Sequence, residues 1–597
     1  MRKLSDYVFD FVAGQGVKHV FMLPGGGAMH LVDSLGRNRK LTYICNLHEQ
    51  ACAVAADACS QYTNNLGVAL VTTGPGGTNT ITGVAASWLD SIPVLFISGQ
   101  VKRTDMIGGR GVRQMGFQEI DIVSLVRSVT KYAVTVTNPA EIRYHLEKAA
   151  YLARSGRPGP VWIDIPLDVQ AAVIDERRLA AFRPERRPVR SLSRDAASVM
   201  AMINRSERPA ILAGNGIRLS GALKPFRRLV DQLGIPVLTT WKMIDFLPED
   251  HPLYAGRPGA VGQRGANFAQ QNADLLLVIG ARLDLGQTAY NHAHFAPAAR
   301  KIMVDVDPYE IRKMDMTVAL PIEGDAALFV QELLRQKGKV KRQDRGAWIA
   351  RCKEWKNRYP VVLKEYWDEK RFVNDYVLID ILSEEMRADD LLIPGSSGAC
   401  SERSMQAFRV REGMRIFNSE GLGPMGFGIP MAIGGCIASG KKRTVCIDGD
   451  GGFVMNIQEL EVVRRLNLPI KFFVLNNQGY VSIQTTQKNY FRGNFVASTR
   501  ESGLTLPDYR KVAKAFGIPS FQLKDHRDIN KKVRAILNAQ GPSVCEVMVS
   551  PDQMTAPRVS TRSMPDGSMV SAPMEDLWPL LDREELNSNM LLSQQER

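Results

Sequence analysis

Along this chain, short continuous apolar runs alternate with stretches whose apolar positions recur every three or four residues. That is the pattern of buried strands separated by amphipathic helices. In the first third the runs fall at residues 17–23, 68–72, 94–98 and 161–165, and in the middle third at 210–213, 275–279 and 302–305. In the last third a run over 445–447 stops at Asp448. A helical pattern with Leu460, Val463 and Leu466 on one face follows, and after Pro469 a second run covers 470–475. Strands alternating with helices in this way predict parallel, doubly wound sheets. The expected fold is α/β, with three doubly wound parallel-sheet domains at 1–180, 195–337 and 374–551 and a C-terminal tail at 552–597. Pro166, Pro184, Pro188 and a basic run mark the first exit, and the second lies near 337–345. The tail is polar, with Pro557, Pro565 and Pro573, but its Trp578, Leu580 and Leu581 predict that it docks on the body.

A chain of 597 residues exceeds what one core supports, in keeping with several domains. A net charge of +14 would suit a nucleic acid or a membrane surface. Much of it, however, falls at 183–194 and 335–345, where no aromatic residue is interleaved. These runs read as solvated linkers, so no nucleic-acid partner is expected. No apolar stretch is long enough for a membrane helix, and no membrane association is expected. Eight scattered cysteines fit free thiols in a reducing compartment. The first residues lead into a helix pattern rather than a signal-peptide core, which points to the cytoplasm.

Chemistry concentrates in residues 446–480. Gly449-Asp450-Gly451-Gly452 follow one strand, and Asn476-Asn477 end the next. In a parallel sheet both strand ends share the edge where ligands bind. Asp450 and Asn477 can each offer an oxygen to one hard cation. Mg²⁺ takes few protein oxygens and completes its octahedron from phosphate oxygens and water. The glycines let backbone amides approach a diphosphate. The stretch therefore reads as a site for a metal-bridged diphosphate.

With Glu459 and Glu461, Pro469 and the Asn-Asn-Gly-bearing turn at 476–480, this stretch resembles the signature of thiamin diphosphate (ThDP) enzymes. The resemblance implies Mg²⁺ held by Asp450, Asn477 and the backbone carbonyl of Gly479. Tyr480 and the turn Gly395-Ser396-Ser397 would lie beside the cofactor. It also implies a carboxylate at the aminopyrimidine ring, and Glu49 takes that part, between a mostly apolar strand and an Ala-rich helix. Gly74, Pro75 and Asn79 belong to the glycine-rich turn that the family sets by the pyrimidine. Family sites are built from two subunits, which implies a homodimer or homotetramer.

Residues 20–26, 47–50, 98–101, 117–119 and 421–428 narrow the resemblance to the acetolactate synthase large subunits. That family implies decarboxylation of pyruvate and transfer of the two-carbon acetyl unit to a carbonyl acceptor, with a regulatory subunit as a possible partner. Met425 inherits the role of propping the bent cofactor. Phe117 and Gln118 inherit the pocket wall, and Gly26 a contact to the aminopyrimidine or the reacting groups. The middle domain resembles the family's FAD-binding domain through Gly214, Gly216, Arg282, Asp284, Asp305 and Asp325. Three departures stand out: a longer segment at 102–116 with Arg103, Arg110 and Arg113, a different stretch at 479–491, and the tail. These features resemble ThDP flavoenzymes of branched-sugar pathways, such as the yersiniose-forming carboligase. An alternative acceptor is therefore a nucleotide-linked keto-deoxysugar, with the arginines pairing its diphosphate and Tyr480 and Gln484 lining its pocket. A simple 2-keto-acid decarboxylase is a further alternative, against which stands the lack of any His between positions 49 and 144.

Overall fold

A computed structural model describes the chain except for residues 186–189, 342, 564, 565, 567, 568 and 593–597. Pro188 and Pro565 thus lie outside the described residues. The first sheet comprises β1 (His19–Met22), β2 (Thr42–Cys45), β3 (Gly67–Val71), β4 (Val94–Gln100), β5 (Tyr132–Thr135) and β6 (Val161–Pro166), in the order β2-β1-β3-β4-β6-β5. The second comprises β7 (Pro209–Ala213), β8 (Val237–Thr239), β9 (Tyr254–Gly256), β10 (Leu275–Ile279), β11 (Arg300–Asp305) and β12 (Leu320–Glu323), in the order β9-β8-β7-β10-β11-β12. The third comprises β13 (Leu391–Pro394), β14 (Arg415–Ile416), β15 (Thr444–Gly449), β16 (Ile470–Asn476), β17 (Ser520–Leu523) and β18 (Ser543–Met548), in the order β14-β13-β15-β16-β18-β17. All neighbours in these sheets run parallel. The three predicted α/β domains are present.

Each sheet starts at an inner strand, builds one flank, then returns to build the other. The return leaves a crevice between adjacent strand ends: β1 and β3, β7 and β10, β13 and β15. Open α/β sheets bind ligands at such switch points. The first and third sheets share one strand order, while the middle sheet has the order of dinucleotide-binding folds. Helices cover both faces, so β3 is buried throughout and β15 and β16 are buried except at their last residue. This explains why their sequences are continuous apolar runs rather than alternating ones. Strands that left no such signature include the edge strands β5, β12 and β17 and the two-residue β14.

Three helices join the first and third sheets: α1 (Glu49–Thr63), α2 (Pro75–Leu89) and α3 (Gly428–Ala438). Their contacts are made by small residues. A Cβ on Gly434 would stand 2.2 Å from the Ala55 carbonyl oxygen, and one on Gly83 would stand 2.5 Å from the Ala53 Cβ. The alanines of α1 thus serve close helix approach, and one apolar core runs from Cys52 and Ala53 to Ile429 and Ile433. That packing holds the start of α1, and with it Glu49, rigidly in the interior.

The tail docks on the middle domain. Val559 donates from its backbone to Ala260, and Arg264 donates to the carbonyls of Leu577 and Pro579. Met574, Leu577, Leu586 and Met590 join a cluster with Phe268 and Trp355. Of the three residues expected to dock, Leu581 packs there, Trp578 is half-buried and pairs its backbone with Arg558, and Leu580 is 50% exposed. Among the described residues no helix is long and apolar enough to cross a membrane.

Candidate active site

At the edge of the third sheet, β15 gives way to a short helix beginning at Asp450, and β16 ends one residue before Asn477. The strands are adjacent, with Gly449 paired to Leu475. Asp450 Oδ1 accepts from the Gly451 amide at 2.7 Å, and Oδ2 accepts from the amides of Asn477 and Gly479 at 3.2 Å each. Burial pushes the Asp450 carboxyl up to about 6. Asn477 Oδ1 is sealed from solvent and has no hydrogen-bond partner. A buried acceptor left alone is rare and needs an explanation. An acid oxygen beside an orphaned amide oxygen fits a hard cation. The Gly479 carbonyl accepts from Val481 at 3.0 Å, which leaves one lone pair. Below the turn, the Tyr509 hydroxyl donates to the Asp450 carbonyl at 2.8 Å.

The glycines of this edge surround two things. A Cβ on Gly451 would stand 2.2 Å from a ring carbon of Tyr480 and 3.1 Å from Met425 Cε, so Met425 and Tyr480 converge over the turn. A Cβ on Gly395, Gly428 or Gly452 would stand 2.4, 2.2 or 2.7 Å from an Asp448 carboxylate oxygen. Asp448 is buried, its carboxyl is pushed up to about 7, and its Oδ2 has no partner. Sequence reasoning treated Asp448 only as a strand end. Ser396 Oγ accepts from the Ser419 amide at 3.0 Å, which ties the 395–397 turn to the segment leading into Met425. Ser397 stands at the start of a ten-residue helix, Gly398–Ala407, whose amides face the same switch point.

The first sheet contributes Glu49. His48 is extended, and its Nδ1 accepts from the Gln50 amide at 3.1 Å, so the ring caps α1. Glu49 is 8% exposed, and its Oε2 accepts from Asn79 Nδ2 at 3.0 Å. Asn79 therefore orients the carboxylate. Gly74, with φ +61°, precedes Pro75 at the start of α2, and its Cβ would stand 2.2 Å from the Gln118 carbonyl oxygen. Gln118 itself has φ +62°, an uncommon conformation for a residue with a side chain. Gly26 opens a 3-10 turn next to open space, and Phe117 is 86% exposed.

Two of the latches between the first and third domains lie next to these residues. Glu459 accepts from Asn46 Nδ2 at 2.9 Å and from the Leu47 amide at 2.8 Å. Asn456 Nδ2 donates to Gln50 Oε1 at 2.9 Å and to the Gly426 carbonyl at 2.7 Å, tying the neighbour of Glu49 to the neighbour of Met425. Among the described residues no hydrogen bond links Glu49 to Asp450 or Asn477.

Comparison with known proteins gives the family. The family models "Thiamine pyrophosphate enzyme, N-terminal TPP binding domain", "central domain" and "C-terminal TPP binding domain" match residues 2–125, 196–333 and 396–547. The chain is 33% identical to a probable acetolactate synthase large subunit of Methanocaldococcus jannaschii, covering 92% of each chain. It is 33% identical to the chloroplastic acetolactate synthase 2 of Zea mays, covering 94% of this chain and 87% of the relative. With the acetolactate synthase large subunit of Cyanidium caldarium the identity is 32%, over 93% and 94%. The chain belongs to the acetolactate synthase family of thiamine pyrophosphate enzymes.

This acetolactate synthase relative has a second cleft, at the β7–β10 switch point of the middle sheet. Asn215, Gly216, Gly280, Arg282, Asp305 and Asp325 line it. Gly214 and Gly216 press on Gly280, where added Cβ atoms would stand 2.2 and 2.8 Å from its backbone. Several predicted residues also carry structural duties. Asp325 caps the helix Ala326–Arg335, Asp284 accepts from the Gln287 amide, and Arg282 donates to the Leu89 carbonyl. Burial pushes Asp305 up to about 6. All three domains meet here. Lys242 donates to Gln61, Asn418 and Asp90, and Glu420, pushed up to about 8 by burial, lines the wall. Neither Lys242 nor Glu420 was read from the sequence, since their partners lie in other domains.

Two arginines of the 102–116 segment, Arg103 and Arg110, require a correction. Arg103 is committed: its Nε donates to Asp168 at 2.7 Å and its Nη1 to the Thr137 carbonyl at 3.0 Å. Arg110 donates to the nearby carbonyls of Met106 and Ile107. Arg113 is exposed. Gln484, expected in the pocket wall, donates instead to the Ser498 carbonyl at 2.7 Å.

Proposed function

We propose that this chain is a ThDP- and Mg²⁺-dependent carboligase that decarboxylates pyruvate and passes the two-carbon acetyl unit to a second carbonyl compound. The reading is carried by the sealed, unpartnered Asn477 Oδ1 beside the Asp450 carboxylate, in a chain of the acetolactate synthase family. When bound, ThDP supplies the carbanion chemistry that releases carbon dioxide from a 2-keto acid and attacks an acceptor carbonyl. Asp450, Asn477 and the Gly479 carbonyl hold the cation that neutralises the diphosphate. The Gly452 amide and the 395–397 turn would receive the phosphate oxygens, whereas the amides of Gly449 and Gly451, expected there from the sequence, are taken by the carboxylates of Asp448 and Asp450. Glu49, oriented by Asn79, moves a proton at the aminopyrimidine ring. Met425 and Tyr480 support the cofactor over Gly451, and Gly26, Phe117 and Gln118 border the reacting atoms.

Two copies of the chain complete each site in this reading, as a homodimer or homotetramer. It is supported by the 86% exposure of Phe117 and by the lack of a hydrogen bond from Glu49 to the cation residues within the described chain. We assign FAD, in a structural role, to the middle cleft. The strand order, the Gly214–Gly216–Gly280 contact and the carboxylates of Asp305 and Asp325 suit a dinucleotide. A regulatory subunit fits the family, and eight free cysteines suit the cytoplasm.

The test is product analysis with ThDP, Mg²⁺ and pyruvate. Carbon dioxide and acetolactate are expected from a yellow protein whose flavin is not bleached in turnover. Acetaldehyde as sole product would leave a plain decarboxylase, and a colourless protein indifferent to FAD would remove the flavin. A second reading, with a nucleotide-linked keto-deoxysugar as acceptor, is favoured by the exposed Arg113, close in sequence to Phe117 and Gln118. It predicts faster carboligation onto that ketone than onto pyruvate.

A further inference from the structure

The 102–116 segment leaves the end of β4 and returns at Phe117, and one buried side chain gathers both sides of it. Glu119 is 7% exposed. Its Oε1 accepts from the Ile107 amide, and its Oε2 accepts from the amides of Met115 and Gly116 at 3.1 and 3.0 Å. Gln114 adds a side-chain bond to the Glu119 carbonyl at 3.1 Å. Gly116 closes the base, where a Cβ would stand 2.8 Å from a Val101 methyl. A carboxylate taking three backbone N–H groups is charge-assisted at each bond, and its removal would strand those donors.

The clamp reaches the turn at Gly74 through the backbone. Gln118, the residue before Glu119, holds its positive φ with its carbonyl against Gly74. Gly74 starts α2, which is held separately by the close packing of Gly83 on Ala53 of α1. Such a conformation persists only where the surroundings over-determine it. Here those surroundings are Gly74 on one side and the Glu119 clamp on the other. Of the arginines of the segment, Arg103 is tied to Asp168 outside it and Arg110 to the Met106 carbonyl within it.

We propose that Glu119 is the positioning residue for the acceptor side of the site. It fixes the 102–116 segment together with the outward-facing Phe117 and Gln118, and so sets which carbonyl compound receives the two-carbon unit. The inference rests on the carboligase reading above. Donor chemistry uses Glu49 and the cation residues, none of which touches the clamp, so the two half-reactions respond differently to its loss.

Glu119→Gln keeps the volume but turns an NH₂ group toward backbone donors. The full-length protein, loaded with ThDP and Mg²⁺, is assayed in two ways. In the first, ferricyanide replaces the carbonyl acceptor: two equivalents take the two electrons, and pyruvate and water yield acetate, carbon dioxide and two protons released to solvent. In the second, 2-ketobutyrate is varied as acceptor. The expected variant keeps its ferricyanide-linked kcat within about twofold of wild type, while its KM for 2-ketobutyrate rises at least tenfold. Equal losses in both assays would make Glu119 merely structural, and an unchanged acceptor KM would overturn the proposal outright. If Glu119→Gln does not fold, Gln114→Ala decides: a rise in acceptor KM of threefold or more supports the clamp, and none refutes it. Wild-type protein inert toward pyruvate in both assays would reject the carboligase reading itself, and the proposal with it.

Discussion

Replacing Glu49 by Gln separates chemistry from folding more cleanly than any other change in this protein. The side chain is 8% exposed, and its Oε2 takes one hydrogen bond, from Asn79 Nδ2 at 3.0 Å. A Gln oxygen can accept that same bond, so the volume and the Asn79 contact survive. What changes for the fold is one negative charge in the first turn of α1, worth about 0.3–1 kcal/mol at a helix N-terminus. For a domain of this size that moves the unfolding midpoint by no more than about 4 °C. What changes for the reaction is the ability to accept and return a proton, typically worth about 10²–10⁴ in rate. At about 1.36 kcal/mol per tenfold, the barrier rises by roughly 2.7–5.4 kcal/mol. The expected variant therefore binds ThDP and melts almost as wild type, yet consumes pyruvate at least a hundredfold more slowly. The assay is pyruvate consumption at saturating ThDP and Mg²⁺, paired with exchange of the cofactor's C2 proton into D₂O by NMR. Both should fall together. Asn79→Ala, which leaves the carboxylate but removes its donor, should fall between the two. A Glu49→Gln protein keeping more than a tenth of the wild-type rate would refute the assignment of Glu49 as the proton-moving group.

Asp450→Ala removes one of the two side-chain oxygens proposed for the cation, so ThDP affinity should drop at least tenfold at limiting Mg²⁺ and recover partly as Mg²⁺ is raised; equal affinity at every Mg²⁺ concentration would put the metal elsewhere. Asp164 lies on β6, and burial pushes its carboxyl up to about 7 despite hydrogen bonds from Ser98, Thr135 and Gln100. The folded state thus keeps a proton that the unfolded chain releases near pH 4, so stability falls as pH rises from about 4 to 7 and is flat above, by roughly 4 kcal/mol at most. Asp164→Asn should flatten that slope in circular-dichroism melts, and an unaltered slope would show that the carboxyl is already charged in the fold.

The residues proposed to touch the cofactor were legible because their positions are dictated locally. A run of apolar residues fixes a buried strand, the strand's end fixes the edge, and a Gly-Asp-Gly or Asn-Asn at that edge has few other uses. Asp450 and Asn477 follow from this logic, whereas Glu49, which on its own reads as a helix-start residue, is indicated by the resemblance to thiamin diphosphate enzymes. The residues that hold them do not, because they pair across the chain. Glu459 meets Asn46 from 413 positions away, and Asn456 meets Gln50 from 406. Arg103 misled for the same reason: in the sequence its charge looks free, and only Asp168, 65 positions on, shows that it is spent on structure. Glu119 stood within a recognised motif, but its partners are backbone amides, which carry no letter code at all. Asp448 gives the sharpest case. Gly395, Gly428 and Gly452 read singly as turn or helix glycines, and only the fold brings them around one buried carboxylate that a single added methyl group would strike. A local pattern can therefore name a site, while the fidelity of that site depends on contacts whose signal is the absence of a side chain at distant positions.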